Sequence, residues 1–442
     1  MGKEGEKMSF QMKILKIIRN IIGISVLIVT LMMPNTVFGK EDLTLTGEQF
    51  LELLKPVIAK FEKETGGREG DSLENYLLAL SPKKKVSRAE AICMINQIDW
   101  YYRGDFQEED KYTNIARYQR LGDLSKYSFE MQRNLMEAYG KGIVVGTSKG
   151  LYTGQRELEL KKRITKTAFK KMKARLLEPK KRREISFDGQ VIRTINLPKN
   201  YKSFPYVLEG YPNSFYEMAF IYQRTMHSNK PRKGDDYIPP VDMSNLKYMD
   251  QDKFNLLKKG YSVVERNLRL KLNYDYRTCK KKWREELAKT YCHPSGKEGY
   301  QFGLASIKEY QKKTQKNHVI LKADVVTTDP SSLHYSVVGG YYVRCYVKFK
   351  VVSADFIPTT KSQQQNEIVF GDSVKISGLK KNQSIAFCFD YSINTCRDVF
   401  SDKQIVGIWW DRIGDEMYRV KEWKPEDSFG DKASTGYFID FN

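Results

Sequence analysis

Histidine is scarce in this chain of 442 residues: there are four, His227, His293, His318 and His334, and no two stand at a metal-ligand spacing. No Cys-x-x-Cys, Walker loop or His-Glu-x-x-His occurs, which excludes the common sequence-readable zinc, nucleotide and metalloprotease sites. No metal and no cofactor is expected. Long apolar stretches are also few. Residues 21–33 form an uncharged run of 13, short of the about 20 residues that span a bilayer. Lys13, Lys16 and Arg19 precede it and Val37-Phe-Gly39 follows it. That pattern reads as a signal peptide over 1–39, cleaved after Gly39, with an uncleaved anchor as the alternative. After cleavage no membrane segment is expected.

Negative charge is the next deficit. Asp and Glu number 54 against 75 Lys and Arg, a formal charge of +21. Residues 1–39 hold five basic and two acidic groups, so the remaining chain carries +18. A basic surface attracts polyanions. Outside a cell these are wall polymers bearing phosphate or carboxylate. No nucleic-acid recognition motif is present, so nucleic acid is not expected as a partner. The competing reading is a face of solvated lysines.

The cysteines are Cys93, Cys279, Cys292, Cys345, Cys388 and Cys396. Export permits disulfides. Cys388 with Cys396, eight residues apart across a hairpin, is the first candidate pair, and Cys279 with Cys292 the second. Cys93 sits on an apolar helical stripe and reads as a small buried hydrophobe.

Three helix starts share one signal. Thr46-Gly-Glu-Gln-Phe50, Ser87-Arg-Ala-Glu90 and Thr165-Lys-Thr-Ala-Phe169 each place Ser or Thr before an apolar-periodic run. Ser87 with Glu90 meets the capping-box rule in full. Recurrence of one small unit suggests an array. Within 121–177 the chain also carries Asp123 and Gly140-Lys-Gly-Ile-Val-Val-Gly146. These segments resemble S-layer homology repeats, whose helix start reads Thr-Arg-Ala-Glu and whose loop reads Gly-Ile-Val-x-Gly. The resemblance is strongest over 121–177, weaker over 78–98, and weakest before that. Phe129 stands where the family has Trp, and Lys166 where it has Arg.

The resemblance implies a three-pronged, all-α module over 40–178 that binds an anionic secondary cell-wall polysaccharide. Carried over by position, Arg88 and Lys166 are the expected anion contacts, Asp123 a sugar-hydroxyl acceptor, and Gly142 and Gly146 the anion-approaching loop. The chemistry is coherent, because Arg pairs with a carboxylate bidentately and a glycine loop exposes backbone N–H groups. The bland alternative is that these residues only cap helices and turn the chain.

Pro179 with the basic residues Lys180 to Arg183 reads as a linker, and the proline-punctuated, aromatic stretch through 245 as a connector. From 246 to 442 helices precede strands. Leu256, Leu257, Tyr261, Val264 and Leu268 recur at helical spacing, with Trp283 and Leu287 beyond and a third helix near 303–316. Val343, Cys345, Val347, Phe349 and Val351 then alternate with Arg344, Lys348 and Lys350, the pattern of an antiparallel strand buried on one side. Segments 385–391, 406–410 and 417–423 give further strands. The expected class is therefore α + (α+β), with C-terminal helices on a curved antiparallel sheet. By analogy of architecture, this order is that of cystatin-like or nuclear-transport-factor-like cones.

The stretch from Asn196 onward also resembles the uncharacterised C-terminal region that accompanies S-layer homology repeats in secreted proteins of clostridia-type bacteria. Asn196-Leu-Pro-Lys-Asn, Pro212-Asn-Ser-Phe-Tyr and Asp275-Tyr-Arg-Thr carry that likeness. It implies a secreted, cell-surface location and no activity. Asp275, Arg277, Trp409 and Asp411 are candidate pocket residues of this half. Facing carboxylates there would make a wall-associated hydrolase; a structural ion pair is the alternative. No catalytic residue is expected.

Overall fold

The computed structural model describes residues 43–217 and 256–409, apart from short segments at 67–69, 71, 105–108, 258–259, 336–340, 358–367, 372–378 and 402, together with 224–225, 228–231 and 418–420. The expected signal peptide lies outside the described residues. Helices are α1 (Gly47–Thr65), α2 (Arg88–Arg103), α3 (Glu109–Arg117), α4 (Phe129–Gly140), α5 (Lys166–Leu177), α6 (Asn213–Glu217), α7 (Tyr261–Leu272), α8 (Lys281–Ala288) and α9 (Gly296–Lys316). Strands are β1 (Thr147–Ser148), β2 (Arg156–Glu157), β3 (Arg224–Thr225), β4 (Ser228–Pro231), β5 (Ile320–Thr328), β6 (His334–Tyr335), β7 (Tyr341–Ser353), β8 (Ser384–Arg397), β9 (Gln404–Ile408) and β10 (Tyr418–Val420). The class is mixed α/β.

Three extended segments meet at the centre of the N-terminal half. Leu45 N–H donates to Ile164 O at 3.0 Å, Ile164 N–H to Val86 O at 2.9 Å, and Val86 N–H to Leu45 O at 3.0 Å. The three bonds close a ring, and each segment leads straight into a helix, α1, α2 or α5. Thr46, Ser87 and Thr165 cap these helices, each cap contributing about 1 kcal/mol. Gln49 completes a capping box at the first and Glu90 at the second. Ala168 cannot do so at the third. The helices bury Phe50, Ile92, Ile95 and Phe169 around the ring, with Phe50 edge-on to Phe169 at 5.2 Å. This half is not purely helical as expected. β1 and β2 pair antiparallel, because the glycine loop feeds an extended segment rather than a helix.

In the C-terminal half the sheet order is β5-β7-β8-β10, antiparallel throughout, with β6 on β7 and β9 on β8. Register shifts interrupt the β5–β7 pairing near Ile320 and Ala323, and such bulges bend a sheet. Helices α7, α8 and α9 cover the face formed by Val343, Cys345, Val347, Phe349, Phe387, Phe389 and Tyr391. Tyr274, Trp283 and Tyr310 fill the space between helices and sheet. A curved sheet backed by helices is thus present, and among the described residues the side chains between the two layers are buried.

The other face departs from the one-sided strand expected from sequence. Arg344 and Tyr346 on that face are buried, as are Ala386 and Cys388. Their cover comes from far upstream: Leu151, Tyr152, Phe204, Leu208, Tyr211 and Phe215 pack on them. Tyr152 stacks on Tyr346 with ring centroids 3.6 Å apart. The stretch read as a linker is equally engaged. Arg182 forms an ion pair with Asp99 and Arg183 lies 3.8 Å from Glu209.

Between the halves lies a polar layer. Arg120 pairs with Asp188 at 2.9 Å, Tyr211 donates to Thr328 O at 2.9 Å, and Glu265 accepts from Thr328 N–H at 2.9 Å. Asp329 is fully buried there, accepting from Ser331 N–H at 2.8 Å and Ser331 Oγ at 2.7 Å. Burial pushes its carboxyl from 3.8 up to about 7, against the lowering effect of its hydrogen bonds with Tyr216 and Ser331. The folded pKa thus exceeds the unfolded one. Between those values the folded state keeps a proton that the unfolded chain has lost, so stability falls as pH rises through this window. Asp329→Asn is expected to flatten that dependence. Thermal midpoints measured from about pH 4 to 7 check it; an unaltered slope would show that Asp329 is not the group responsible.

Candidate functional site

Asp123 organises a concave surface of the N-terminal half. Its two carboxylate oxygens accept from Leu158 N–H at 3.2 Å and Leu160 N–H at 3.0 Å. This ties the 122–126 loop to the strand-like segment that enters α5. Between them lies a cleft of about 360 Å³, lined by Gly122, Asp123, Ser125 and Lys126 on one side and Glu157, Glu159, Leu160, Lys161 and Lys162 on the other.

The acids of this cleft are already matched. Glu157 pairs with Lys149 at 2.7 Å, Glu159 pairs with Lys162 at 2.7 Å, and Asp123 holds two backbone amides. Lys126 and Lys161 are exposed at its walls, and among the described residues neither has an ion-pair partner. The cleft therefore offers two uncommitted ammonium groups beside a serine hydroxyl, a donor set suited to an anionic, hydroxyl-rich ligand.

The sequence-selected residues divide. Asp123 lines the cleft, but as the post that shapes it. Arg88 lies half-buried behind it, its Nε donating to Leu158 O at 2.8 Å. Burial lowers its pKa, and Glu159 and Asp123 oppose that shift. Arg88 thus braces the cleft wall. Lys166 is exposed at the first turn of α5, with its backbone N–H on Leu43 O at 3.1 Å, and does not line the cleft. Gly142 and Gly146 do not line it either. Gly142 has φ +70° and Arg183 O occupies the space of a Cβ, 1.8 Å away. Its N–H is taken by Tyr139 O at 2.8 Å. Gly146, at φ +59°, is pressed against Glu157 O in the same way. Both glycines are required by close backbone contact within the chain. Lys126 and Lys161 were not among the sequence-selected residues; they stand three residues after Asp123 and four before the Thr165 cap.

Among the described residues, Asp275 pairs with Arg277 rather than with a facing carboxylate. Arg277 clamps Asp275 through Nε at 2.9 Å and Nη2 at 2.6 Å. That hydrogen bonding holds the Asp275 carboxyl below its ordinary value, the opposite of what a general acid needs. Trp409 is half-buried, its backbone N–H donating to Ser392 O at 3.1 Å, and Asp411 lies outside the described residues. Gly146-Thr-Ser148-Lys-Gly150 has the spacing of a hydrolase nucleophile elbow. Ser148 instead closes a local turn, its hydroxyl 3.1 Å from both the N–H and the carbonyl of Gly150.

The six cysteines are unpaired. Cys388 and Cys396 fall on the single strand β8, where eight residues span roughly 26 Å, so the hairpin imagined between them does not exist. Cys279 and Cys292 stand at opposite ends of α8, and the helix keeps them apart.

Comparison of the chain with protein-family models, with curated proteins and with solved structures finds no match.

Proposed function

We propose that residues 43–177 form a degenerate S-layer homology module that holds an exported protein on an anionic secondary cell-wall polysaccharide. In this reading the C-terminal half faces outward and binds a ligand of unknown class. The observation that carries the proposal is the cleft beside Asp123, where Lys126 and Lys161 stand uncommitted while every acid at its rim is matched. The closed ring through Leu45, Val86 and Ile164, with a capped helix leaving each side, supports the three-pronged arrangement that the repeats imply. The net charge of +18 carried beyond residue 39 agrees with an acidic polymer as partner.

Attachment in this reading is electrostatic and weakens with salt. Co-sedimentation with purified wall sacculi tests it. Wild type is expected to pellet at low salt, and Lys126→Ala with Lys161→Ala to bind about tenfold more weakly, the loss of one net charge-assisted hydrogen bond. Arg88→Ala is expected to weaken binding together with stability, since Arg88 props the wall of the cleft. Equal retention of wild type and the double lysine variant would remove the proposal.

A further inference from the structure

Two half-buried thiols meet at the edge of the C-terminal sheet. Thr290 O accepts from Ile408 N–H at 2.8 Å, and Cys292 N–H donates to Ile408 O at 2.9 Å. Residues 290–292 thus run alongside β9, with Tyr291 bridged to Ile408 in parallel. β9 in turn pairs with β8, Gly407 opposite Asn394 and Ile405 opposite Cys396. The side chain of Cys292 crosses over Gly407 to reach β8, its Sγ 3.5 Å from Asn394 O. Crossing there requires glycine. A Cβ at Gly407 would lie 2.9 Å from Cys292 Sγ and 2.7 Å from Cys292 N. Cys396 lies two residues beyond Asn394 on the same face of β8, where its thiol interacts with that of Cys292 and with the backbone N–H of His293. The other four cysteines are buried.

We propose that Cys292 and Cys396 are a redox-closed pair, which a small disulfide oxidant converts into a clamp between the α8–α9 loop and the β8–β9 edge. The Cys396 thiolate attacks the oxidant RSSR, forming a mixed disulfide and releasing one thiolate. Cys292 loses its proton, attacks the Cys396 sulfur and expels the second thiolate. Two protein thiols become one disulfide, and their two protons end on two RSH. Cys396 leads because the backbone N–H of His293 reaches its sulfur and favours the thiolate, whereas Cys292 Sγ donates to the Asn394 carbonyl at 3.5 Å and so keeps its proton. The thiolate is the nucleophile in such exchange. This proposal is independent of wall binding.

The test uses the full chain, incubated natively with glutathione disulfide, then alkylated, digested and mass-mapped. One cross-linked peptide joining Cys292 to Cys396 is expected, two hydrogens lighter than its parts, with the other four cysteines alkylated. Cys292→Ser should trap glutathione on Cys396, and Cys396→Ser should take up glutathione at Cys292 about tenfold more slowly. The closed loop of roughly 100 residues should raise the unfolding midpoint by on the order of 10 °C over the reduced chain. A different pairing, six thiols left intact, equal uptake by the two variants, or an unchanged midpoint with the link made would each overturn the clamp.

Discussion

Asp99→Ala is expected to destabilise the N-terminal half by about 3–5 kcal/mol, the cost of breaking a buried ion pair from one side. Asp99 sits on α2 with its side chain 3% exposed. Arg103 reaches it at 2.7 Å, Lys141 at 3.1 Å, and Arg182 closes the cluster. The three cations come from α2, the turn after α4 and the basic segment after α5, so one carboxylate joins three parts of the chain. The arginines have other acceptors, Arg103 on Leu176 O and Arg182 on Arg175 O. Among the described residues Lys141, 6% exposed, keeps only the amide oxygen of Asn96 at 3.1 Å. Deleting Asp99 leaves that ammonium buried without an anion, which is the expensive outcome. Burial alone would raise the Asp99 pKa, but Lys141, Arg182 and Arg103 outweigh it and hold it lowered. Its contribution is present above the ordinary carboxylate value and lost as pH falls through the folded one. Urea unfolding of wild type, Asp99→Ala and Asp99→Ala with Lys141→Met checks this. The added Met should recover at least half the loss. A single-variant cost below about 1 kcal/mol would place Asp99 among ordinary surface pairs.

What the sequence disclosed follows the range of the interactions concerned. Helix starts were readable because a cap is a bond across three residues, and Thr46, Ser87 and Thr165 all cap as their neighbours indicated. The core face of β7 was readable because alternation of period two is local. The opposite face was not, since the cover over Arg344 and Tyr346 arrives from residues more than a hundred positions upstream. Basic residues after α5 read as a linker because nothing near them in sequence announces Asp99. The cysteine pairs failed for the same reason: an eight-residue spacing suits a hairpin or one long strand equally, and only the length of β8 decides. At the candidate cleft, the motif positions include Asp123, which lines it, and Arg88, which braces its wall. They did not point to Lys126 and Lys161, whose place at the opening depends on how two separate loops fold together.

Arg344→Met is expected to cost a further 3–5 kcal/mol or so in the C-terminal half, again by stranding a buried charge. Arg344 and its partner Asp390 face each other across the β7–β8 register, each side chain 1% exposed. Arg344 Nε lies 2.7 Å from Asp390 Oδ1 and Nη2 lies 3.1 Å from Oδ2, while Nη1 donates to Phe215 O at 2.9 Å. The first two bonds neutralise the pair, and the third ties the connector to the sheet. These roles separate by experiment. Arg344→Met with Asp390→Leu removes both charges and keeps comparable volume, so most of the stability should return, as apolar replacements of buried pairs commonly allow. The tie to Phe215 does not return with it. Protease cleavage within 200–217 should therefore remain faster in the double variant than in wild type, even where their unfolding midpoints agree. Arg344→Lys keeps a charge but cannot present the planar fork, and should fall between wild type and Met. If the double variant were as unstable as Arg344→Met, the pair would be contributing geometry that apolar packing cannot replace. If its connector were as protected as in wild type, the aromatic contacts of Tyr152 and Phe215 alone would suffice to hold the outer face closed.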